Sequence, residues 1–325
     1  MAARTGRRGR RGSQENHGDR ADQEHQPCVV VLGDVMTDLI VRPHGPIAVG
    51  SDTPSSIETH AGGAGANLAA WCASEGIAVE FIGMVGADAF GALHRQALVR
   101  AGVRPHLAIH ASAPTGTLVS LVDAAGERSM LAERGANLHL EPSDLPSQLF
   151  VQSACFLLSG YALLDEGPRR AALAALELAR RAGMCIAVDP ASAAPLAAMG
   201  SARFLAWTRG ADVCLPNLDE AYVLTGERTP EAAARALSEV YGLVALKLGA
   251  RGALVAIRGH APFTVSGEPV AVRDTTGAGD AFCAGFLACW LRGGTPAEAL
   301  AASVRLGARA AGRVGARPPG GDFHA

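Results

Sequence analysis

Residues 274–291 read DTTGAGDAFCAGFLACWL, a run of small and polar residues that leads directly into an apolar stretch. Small residues before a helix leave backbone N–H groups uncovered, and with the positive helix end these groups form an anion hole. An acid beside such a hole can take a proton from an attacking hydroxyl while the amides hold a phosphoryl group. The stretch therefore predicts an anion hole at Gly277, Ala278 and Gly279, with Asp280 as the catalytic base. Taken alone, it also allows Asp280 to be a simple helix cap.

Short apolar runs rich in β-branched residues recur along the chain on either side of alanine-rich stretches. Such runs are typical of strands buried on both faces of a parallel sheet, and the alanine-rich stretches at 167–182 and 229–240 predict helices between them. The alternation predicts an α/β fold with a mainly parallel sheet covered by helices on both faces. The predicted strands lie at 28–32, 79–82, 154–158, 185–188, 212–215, 244–248 and 253–257.

Two segments, at about residues 40–60 and 108–134, break this alternation. Their thinner, alternating patterns predict antiparallel hairpins of a small second sheet that acts as a lid. Ligands of open parallel sheets bind beyond the carboxyl ends of the strands, so the chemistry is expected there, beneath the lid.

The composition of the 325 residues, 49% hydrophobic and 18% charged, is that of a globular chain long enough for a large α/β domain. The net charge of −2 argues against a surface that coats nucleic acid. No apolar stretch is long enough to predict a membrane span, and the seven cysteines contain no C-x-x-C pair. We therefore expect reduced thiols and a cytoplasmic location.

The two ends of the chain differ from its body. Residues 1–26 are polar and arginine-rich, with few apolar residues, and are predicted to form a disordered tail. The folded domain is expected to span residues 27–320, followed by a short C-terminal tail at 321–325.

Four motifs of the chain, DTTGAGDAF at 274–282, GGAGAN at 62–67, PNLDE at 216–220 and GDVMTD at 33–38, together resemble those of the ribokinase-like carbohydrate kinases of the PfkB family. DTTGAGDAF at 274–282, followed by AGF, matches the family signature, and GGAGAN at 62–67 resembles its N-terminal glycine motif. PNLDE at 216–220 matches its N-x-x-E motif, and GDVMTD at 33–38 resembles its first substrate loop. The resemblance covers about residues 29–318. It implies a ribokinase-like three-layer α/β/α domain with a small β-sheet lid, and ATP-dependent phosphorylation of a hydroxyl on a small sugar.

On the acceptor side, the resemblance implies that Asp38, Gly62, Gly63 and Asn67 hold the sugar hydroxyls, and that Asp280 is the base. An ionised Asp38 accepts hydrogen bonds from hydroxyls. Without the other motifs, these residues would indicate only a strand-end cap and a tight turn.

On the nucleotide side, Asn217 and Glu220 lie three residues apart at a predicted helix start and could order water around Mg²⁺. Alone, this spacing usually makes a helix cap. Lys247, the chain's single lysine, ends a predicted strand and precedes Gly249 and Gly252, which resemble the family's nucleotide loop. We expect Lys247 to meet an ATP phosphate, although a lysine at a strand end is ordinarily solvated.

The resemblance also implies a potassium ion beside the anion hole. Asp274 and Thr276 match the first part of such a site, and residues 313–316 resemble the second. Backbone carbonyls would supply some of the ligands.

Departures from the family pattern concern the acceptor. Met36 and Ala64 stand where ribokinases have asparagine and lysine, so ribose is expected to be a poor substrate. Arg134, at the end of the lid, is a candidate contact for an acidic acceptor such as a sugar acid; the alternative is a lid-surface arginine.

Two other functions remain open from the sequence: an adenosine-type nucleoside kinase, and a non-catalytic ligand-binding protein of the same fold. Walker A, H-E-x-x-H and G-x-S-x-G motifs do not occur, which argues against P-loop kinases, zincins and elbow-type serine hydrolases. The expected partners are a small-molecule acceptor and a second copy of the chain bound through the lid, with no nucleic acid and no membrane.

Overall fold

The computed structural model describes residues 27–151 and 155–323. The tail predicted at residues 1–26 lies outside the described residues. Within the described ranges, no helix combines the length and the apolar character that crossing a membrane requires.

Strands and helices alternate along most of the chain, as the apolar runs predict. The strands are β1 (Cys28–Leu32), β2 (Met36–Pro43), β3 (Ser55–Gly62), β4 (Ala78–Gly86), β5 (Val103–His110), β6 (Gly116–Val122), β7 (Arg128–Glu133), β8 (Cys155–Ser159), β9 (Cys185–Asp189), β10 (Val213–Cys214), β11 (Leu243–Lys247), β12 (Gly252–Ile257) and β13 (Phe263–Ser266). The helices are α1 (Ala64–Ser74), α2 (Ala89–Arg100), α3 (Glu166–Arg181), α4 (Ala193–Met199), α5 (Ser201–Thr208), α6 (Leu218–Thr225), α7 (Pro230–Ser238), α8 (Ala278–Trp290) and α9 (Pro296–Ala311).

The main sheet of the described residues has the order β13-β12-β11-β10-β9-β8-β1-β4-β5. Its strands pair in parallel from β5 to β11, while β12 is antiparallel to both of its neighbours. The predicted mainly parallel sheet is therefore confirmed.

Side chains of β1 alternate between two hydrophobic cores, one on each face of the sheet. Val29 and Val31 pack in a core with Phe286 of α8, whereas Val30 and Leu32 face the core that contains α3 and α7. These four side chains are fully buried, and each contributes about 1.5–3 kcal/mol of hydrophobic stabilisation. Helices thus cover both faces and form the three-layer arrangement.

The smaller sheet has the order β3-β2-β6-β7, with antiparallel β2–β3 and β6–β7 pairs joined by a parallel β2–β6 pair. Both predicted hairpins are present. The first strand of the first hairpin, β2, begins at Met36, before residue 40, where the predicted segment begins. The start of the second predicted segment, residues 108–110, belongs instead to β5 at the edge of the main sheet. An edge strand is half exposed, so its sequence alternates as a lid strand does.

The last described residues contact the body of the protein instead of extending from it as a tail. The Asp322 carboxylate accepts a hydrogen bond from the backbone N–H of Ala61 at 2.7 Å and contacts the His60 ring at 2.6 Å. Arg100 donates to the Asp322 carbonyl at 2.8 Å, and Phe323 packs edge-on against His94. These contacts join the chain end to β3 and α2.

Candidate active site

A cavity of about 500 Å³ opens beyond the carboxyl ends of β9, β10 and β11, beside the first turn of α8. This is the edge of the sheet at which ligands of open α/β folds bind. The cavity brings together residues of the 274–282 and 216–220 motifs, the predicted nucleotide loop at Lys247 and Gly249, and Asp189, which lies in none of these segments. Its charged and polar lining includes Asp189, Asn217, Glu220, Lys247 and Asp280.

The start of α8 is the place where the anion hole is predicted. Gly277 has φ +75°, and a Cβ atom there would overlap the carbonyl oxygen of Ala316, so both backbone conformation and space require glycine. N–H groups in the first turn of a helix have no intrahelical acceptors, and the helix dipole adds positive charge there. The Ala278 N–H donates to the Thr275 carbonyl at 3.2 Å. The amide roles of Gly277, Ala278 and Gly279 stay a prediction.

Asp280 lies in the first turn of α8 and faces the cavity. Burial raises the pKa of its carboxyl group to about 8, and the negative charge of Asp189 acts in the same direction. The charge of Lys247, the amide of Asn67 and the charge of Arg317 oppose this rise in pKa. A carboxylate whose pKa is near neutral is well suited to accept a proton from a hydroxyl.

Arg317 is a buried residue, 5% exposed, that the sequence analysis did not identify. Its Nε donates to the side-chain oxygen of Asn67 at 3.0 Å, and its Nη2 donates to the Gly62 carbonyl at 2.7 Å. Burial lowers the pKa of Arg317 to about 10, so it remains charged at neutral pH. The arginine therefore connects the C-terminal loop to both ends of the predicted glycine motif.

Asp38 in β2 lies on the acceptor side, close to the backbone of Gly62. A Cβ atom on Gly62 would overlap the Asp38 carboxylate, which explains the glycine. Burial raises the pKa of Asp38 to about 7, against the opposing charge of Arg317. Met36 pairs in register with Gly62 and is 8% exposed. The binding of sugar hydroxyls by Asp38, Gly62, Gly63 and Asn67 stays a prediction.

Arg134 is enclosed by two carboxylates. Its Nη2 donates to both oxygens of Asp34 at 2.9 Å, its Nη1 donates to Asp165, and Nη2 also reaches the Tyr161 carbonyl at 3.1 Å. Its side chain is 16% exposed, so it differs from a solvated lid-surface arginine. Because Asp34 and Asp165 already neutralise the Arg134 guanidinium, little positive charge is left to bind an acidic acceptor.

Asn217 and Glu220 form a capping box at the start of α6. The Asn217 side chain accepts the Glu220 N–H, and the Glu220 carboxylate accepts the Asn217 N–H, both at 2.9 Å. The helix-cap alternative therefore describes their local structure. Burial, and then the charge of Asp189, raise the pKa of Glu220 to about 7. A role near Mg²⁺ stays a prediction.

Lys247 forms an ion pair with Asp189, whose carboxylate oxygen lies 2.8 Å from Nζ. Both side chains are largely buried, and both line the cavity. Ala191, two residues after Asp189, has φ +84°, a conformation that non-glycine residues rarely adopt and that often occurs at functional sites.

A second cavity, of about 510 Å³, adjoins the first and shares Lys247, Gly249 and Gly279 with it. Gly252 lies in its wall, and its role at a nucleotide site stays a prediction. Most of the lining is apolar. It includes Phe282 of the 274–282 motif and three valines that lie outside the motifs, Val270, Val272 and Val304.

Asp274 is buried just before the anion hole, and both of its carboxylate oxygens accept hydrogen bonds. Oδ1 accepts from the Thr276 N–H at 2.9 Å, from the Thr276 hydroxyl at 2.6 Å and from Arg128 at 2.9 Å. Oδ2 accepts from the Gly315 N–H at 3.1 Å. Arg128 also donates to the Thr276 hydroxyl oxygen. The two residues predicted to bind potassium thus contact a guanidinium from the lid.

The family model of pfkB family carbohydrate kinases matches residues 26–320. The chain belongs to the PfkB family of carbohydrate kinases. The ribokinase-like fold and the prediction of an ATP-dependent carbohydrate kinase are therefore confirmed at the level of this family.

Relatives within the PfkB family differ in the acceptors for which they are named. The chain is 30% identical to a ribokinase of Arabidopsis thaliana over 310 residues, covering 90% of this chain and 79% of that protein. It is 32% identical to an ATP-dependent ribose-1-phosphate kinase of Halopiger xanaduensis over 301 residues, covering 89% of this chain and 93% of that protein.

Solved structures of PfkB kinases show the same fold. An adenosine kinase from Sinorhizobium meliloti has a TM-score of 0.81 and 25% identity, over 91% of this chain and 97% of that one. The aminoimidazole riboside kinase from Salmonella enterica, solved with aminoimidazole riboside and an ATP analogue, has a TM-score of 0.73 and 29% identity. The match covers 89% of this chain and 95% of that one.

Proposed function

We propose that this kinase transfers the γ-phosphoryl group of ATP to a hydroxyl of a small, uncharged sugar-like acceptor, with Asp280 as the base. The observation that carries this proposal is the position of Asp280 between two sets of residues. It lies on the first turn of α8, and it is close enough to Asn67, in the 62–67 motif, for that amide to lower its pKa.

In the proposed reaction, Asp280 takes the proton of the acceptor hydroxyl while the oxygen of that hydroxyl attacks the γ-phosphorus. The new O–P bond forms while the bond to the β,γ-bridging oxygen breaks, and ADP leaves with that electron pair. Amides at Gly277 and Gly279 would hold the charge of the transferring group, and the position of both residues at the start of α8 supports this. Asp38 and Asn67 would orient the acceptor hydroxyls.

The nucleotide would bind across the two adjoining cavities. The apolar lining at Val270 and Phe282 of the second cavity suits the purine base of ATP. Gly249 and Gly252 permit a close approach of the backbone to the nucleotide. Lys247 lies where the cavities join, which supports contact with a phosphate. Asp189 holds Lys247 in place through its ion pair.

Magnesium fits the oxygen-rich lining of the first cavity. Asp189, Asn217 and Glu220 carry carboxylate and amide oxygens, the donors that hydrated Mg²⁺ prefers. Because the Glu220 carboxylate already caps α6, we propose that it acts through ordered water. When bound with ATP, the ion neutralises phosphate charge.

An uncharged acceptor follows from the surroundings of Arg134 and Met36. Asp34 and Asp165 neutralise Arg134, which argues against the sugar acid considered from the sequence. Met36 presents a thioether, and its sulfur contacts the Asn137 amide at 3.4 Å. An apolar contact at this position also favours the second candidate, a nucleoside acceptor.

The test is a coupled assay of ADP release with fructose, ribose, adenosine, ribose-1-phosphate and 2-keto-3-deoxygluconate. Adenosine or fructose is expected to give the highest kcat/KM. Asp280→Asn is nearly isosteric and should lower turnover by roughly 10²–10⁴, the range for a positioned base. Near wild-type turnover in this variant would remove Asp280 from the proposed role, and a charged acceptor giving the highest kcat/KM would contradict the uncharged class.

The lid supports a further proposal, a homodimer formed through its outer strands. Met130 and Leu131 of β7 are 58% and 64% exposed, and Ile57 of β3 is 64% exposed. Exposed apolar side chains on edge strands favour pairing with another chain. Light scattering should give twice the chain mass, and Leu131→Glu should reduce it to the monomer mass.

A further inference from the structure

Arg128 is the first residue of β7, and its guanidinium crosses from the lid to the loop that precedes the anion hole. One terminal nitrogen donates to Asp274 at 2.9 Å, and the other donates to the Thr276 hydroxyl oxygen. The Asp274 side chain is 4% exposed and that of Arg128 is 29% exposed. The ion pair is therefore sheltered, and it joins two parts of the chain that are 146 residues apart.

A potassium ion does not fit these residues while Arg128 is in place. The ion would share the Asp274 carboxylate to which the guanidinium donates, and two positive charges at that distance repel. In the loop that resembles the second half of a cation site, the Ala316 carbonyl accepts the indole N–H of Trp71 at 2.9 Å. The positive charge at this position comes from the protein itself.

We propose that the Arg128 guanidinium replaces a monovalent cation beside the anion hole, so that this kinase requires no potassium. The role in catalysis rests on the proposed function, whereas the competition between Arg128 and a cation does not. Arg128 acts as a positioning residue. It holds the loop at Asp274 and Thr276, which leads directly into Gly277.

The source of the charge matters because Arg128 is part of the lid. A bound ion would hold the loop whatever the position of the lid. The guanidinium reaches Asp274 only when β7 lies over the loop. The Arg128–Asp274 pair thus couples the position of β7 to the loop that leads into Gly277.

The competition is tested by the melting temperature of the full-length, nucleotide-free protein in potassium chloride and in tetramethylammonium chloride of equal ionic strength. Tetramethylammonium is too bulky to replace potassium among close oxygen ligands. The variants are Arg128→Met, which keeps an unbranched side chain and removes the charge, and Arg42→Met as the matched control. Arg42 is also a lid arginine, and its ion pair with Glu58 at 2.9 Å stays within the lid.

The wild type and Arg42→Met are each expected to melt at the same temperature in both salts. Arg128→Met should melt roughly 2 °C or more higher in potassium, because the vacated oxygens then bind the ion and binding stabilises the folded state. Arg128→Gln repeats the comparison if the methionine variant does not fold. A potassium-specific rise in the wild type, or none in the Arg128 variants, would overturn the proposal.

Turnover gives the second measurement, with whichever acceptor the assay identifies. Wild-type kcat should be equal in the two salts. Arg128→Met should lose roughly tenfold or more in tetramethylammonium, the scale of one lost charge-assisted hydrogen bond, and recover in potassium. Potassium-dependent wild-type turnover would also overturn the proposal. If no acceptor is phosphorylated in either salt, the proposed function fails, while the melting temperatures still decide the competition.

Discussion

Arg317 donates to the side-chain oxygen of Asn67 at 3.0 Å, and this bond determines which end of the Asn67 amide faces Asp280. A primary amide has an acceptor at one end and two donor hydrogens at the other. Because Arg317 holds the oxygen, the NH₂ group is the end left to act on Asp280, whose pKa the Asn67 amide lowers. The C-terminal loop thereby orients the amide beside the proposed base.

Arg317→Met is expected to lower kcat by roughly tenfold or more and to move the acidic limb of the pH–rate profile to higher pH. The loss in kcat follows from an Asn67 amide that is free to turn. The shift follows because the charge of Arg317 opposes the rise in the pKa of Asp280, and its removal raises this pKa further. The measurement is kcat/KM as a function of pH.

Two controls separate this role from packing. Arg317→Lys keeps a positive charge and should keep the acidic limb near its wild-type position. Arg313→Met changes a nearby exposed arginine and should leave the profile unchanged. An Arg317→Met profile identical to that of the wild type, with kcat alone reduced, would show that Arg317 has only a structural role.

The pH dependence of the wild type follows from the pKa of about 8 for Asp280. The base must be ionised, so kcat/KM should rise by about tenfold per pH unit below pH 8 and level off above it. Burial, the main cause of the raised pKa, disfavours the charged form. Kinetics across this range, with a low concentration of acceptor, check the midpoint. A midpoint near the ordinary aspartate value would contradict the assignment.

Asp280 should also make the stability depend on pH. Its pKa is about 8 in the folded state and near 3.8 when unfolded, so between these values the folded state holds a proton that the unfolded state has lost. The resulting stabilisation is complete below about pH 4 and is lost as the pH rises through 8. Asn cannot titrate. The Tm of Asp280→Asn minus that of the wild type should therefore increase with pH, and a constant difference would contradict the raised pKa.

The sequence predicted the parts of the fold in which burial is complete. Residues 28–32 form β1 with the predicted bounds, because a strand covered on both faces needs apolar residues at every position. β5 was not predicted as a strand of the main sheet. Its half-exposed edge position produces an alternating pattern that the lid strands share. Edge strands of two neighbouring sheets cannot be separated by periodicity alone.

The site was predictable where its residues are close in sequence. Asp280 and the preceding glycines share one segment, and Asn217 and Glu220 share one helix turn. Arg317 and Asn67 are 250 residues apart, so their contact exists only after folding. Asp189 had a weaker signal, an acid that directly follows a buried strand at the sheet edge where ligands bind.

Replacing Lys247 should separate its structural role from its proposed role in ATP binding. Lys247→Met leaves the Asp189 carboxylate buried without its partner, and should cost roughly 3–5 kcal/mol of stability. Adding Asp189→Asn removes the stranded charge and should restore much of the stability. The KM for ATP should remain higher in the double variant than in Asp189→Asn alone, because Asp189 itself is a proposed neighbour of Mg²⁺. Recovery of both quantities together would indicate that Lys247 serves only the ion pair.

Met36 offers the most direct test of acceptor choice. It pairs with Gly62 in the strand register, and its sulfur lies 3.4 Å from the Asn137 amide, at the position where ribokinases have an asparagine. An amide there can hydrogen-bond a sugar hydroxyl, and one such bond contributes about 1 kcal/mol. Met36→Asn should therefore raise kcat/KM for ribose by roughly fivefold and lower it for an acceptor with an apolar portion. Met36→Leu conserves volume and apolar character, so it should leave the ratio of the two substrates unchanged. If the wild type already prefers ribose to fructose and adenosine, or if Met36→Leu raises the ribose rate as much as Met36→Asn does, Met36 does not select the acceptor.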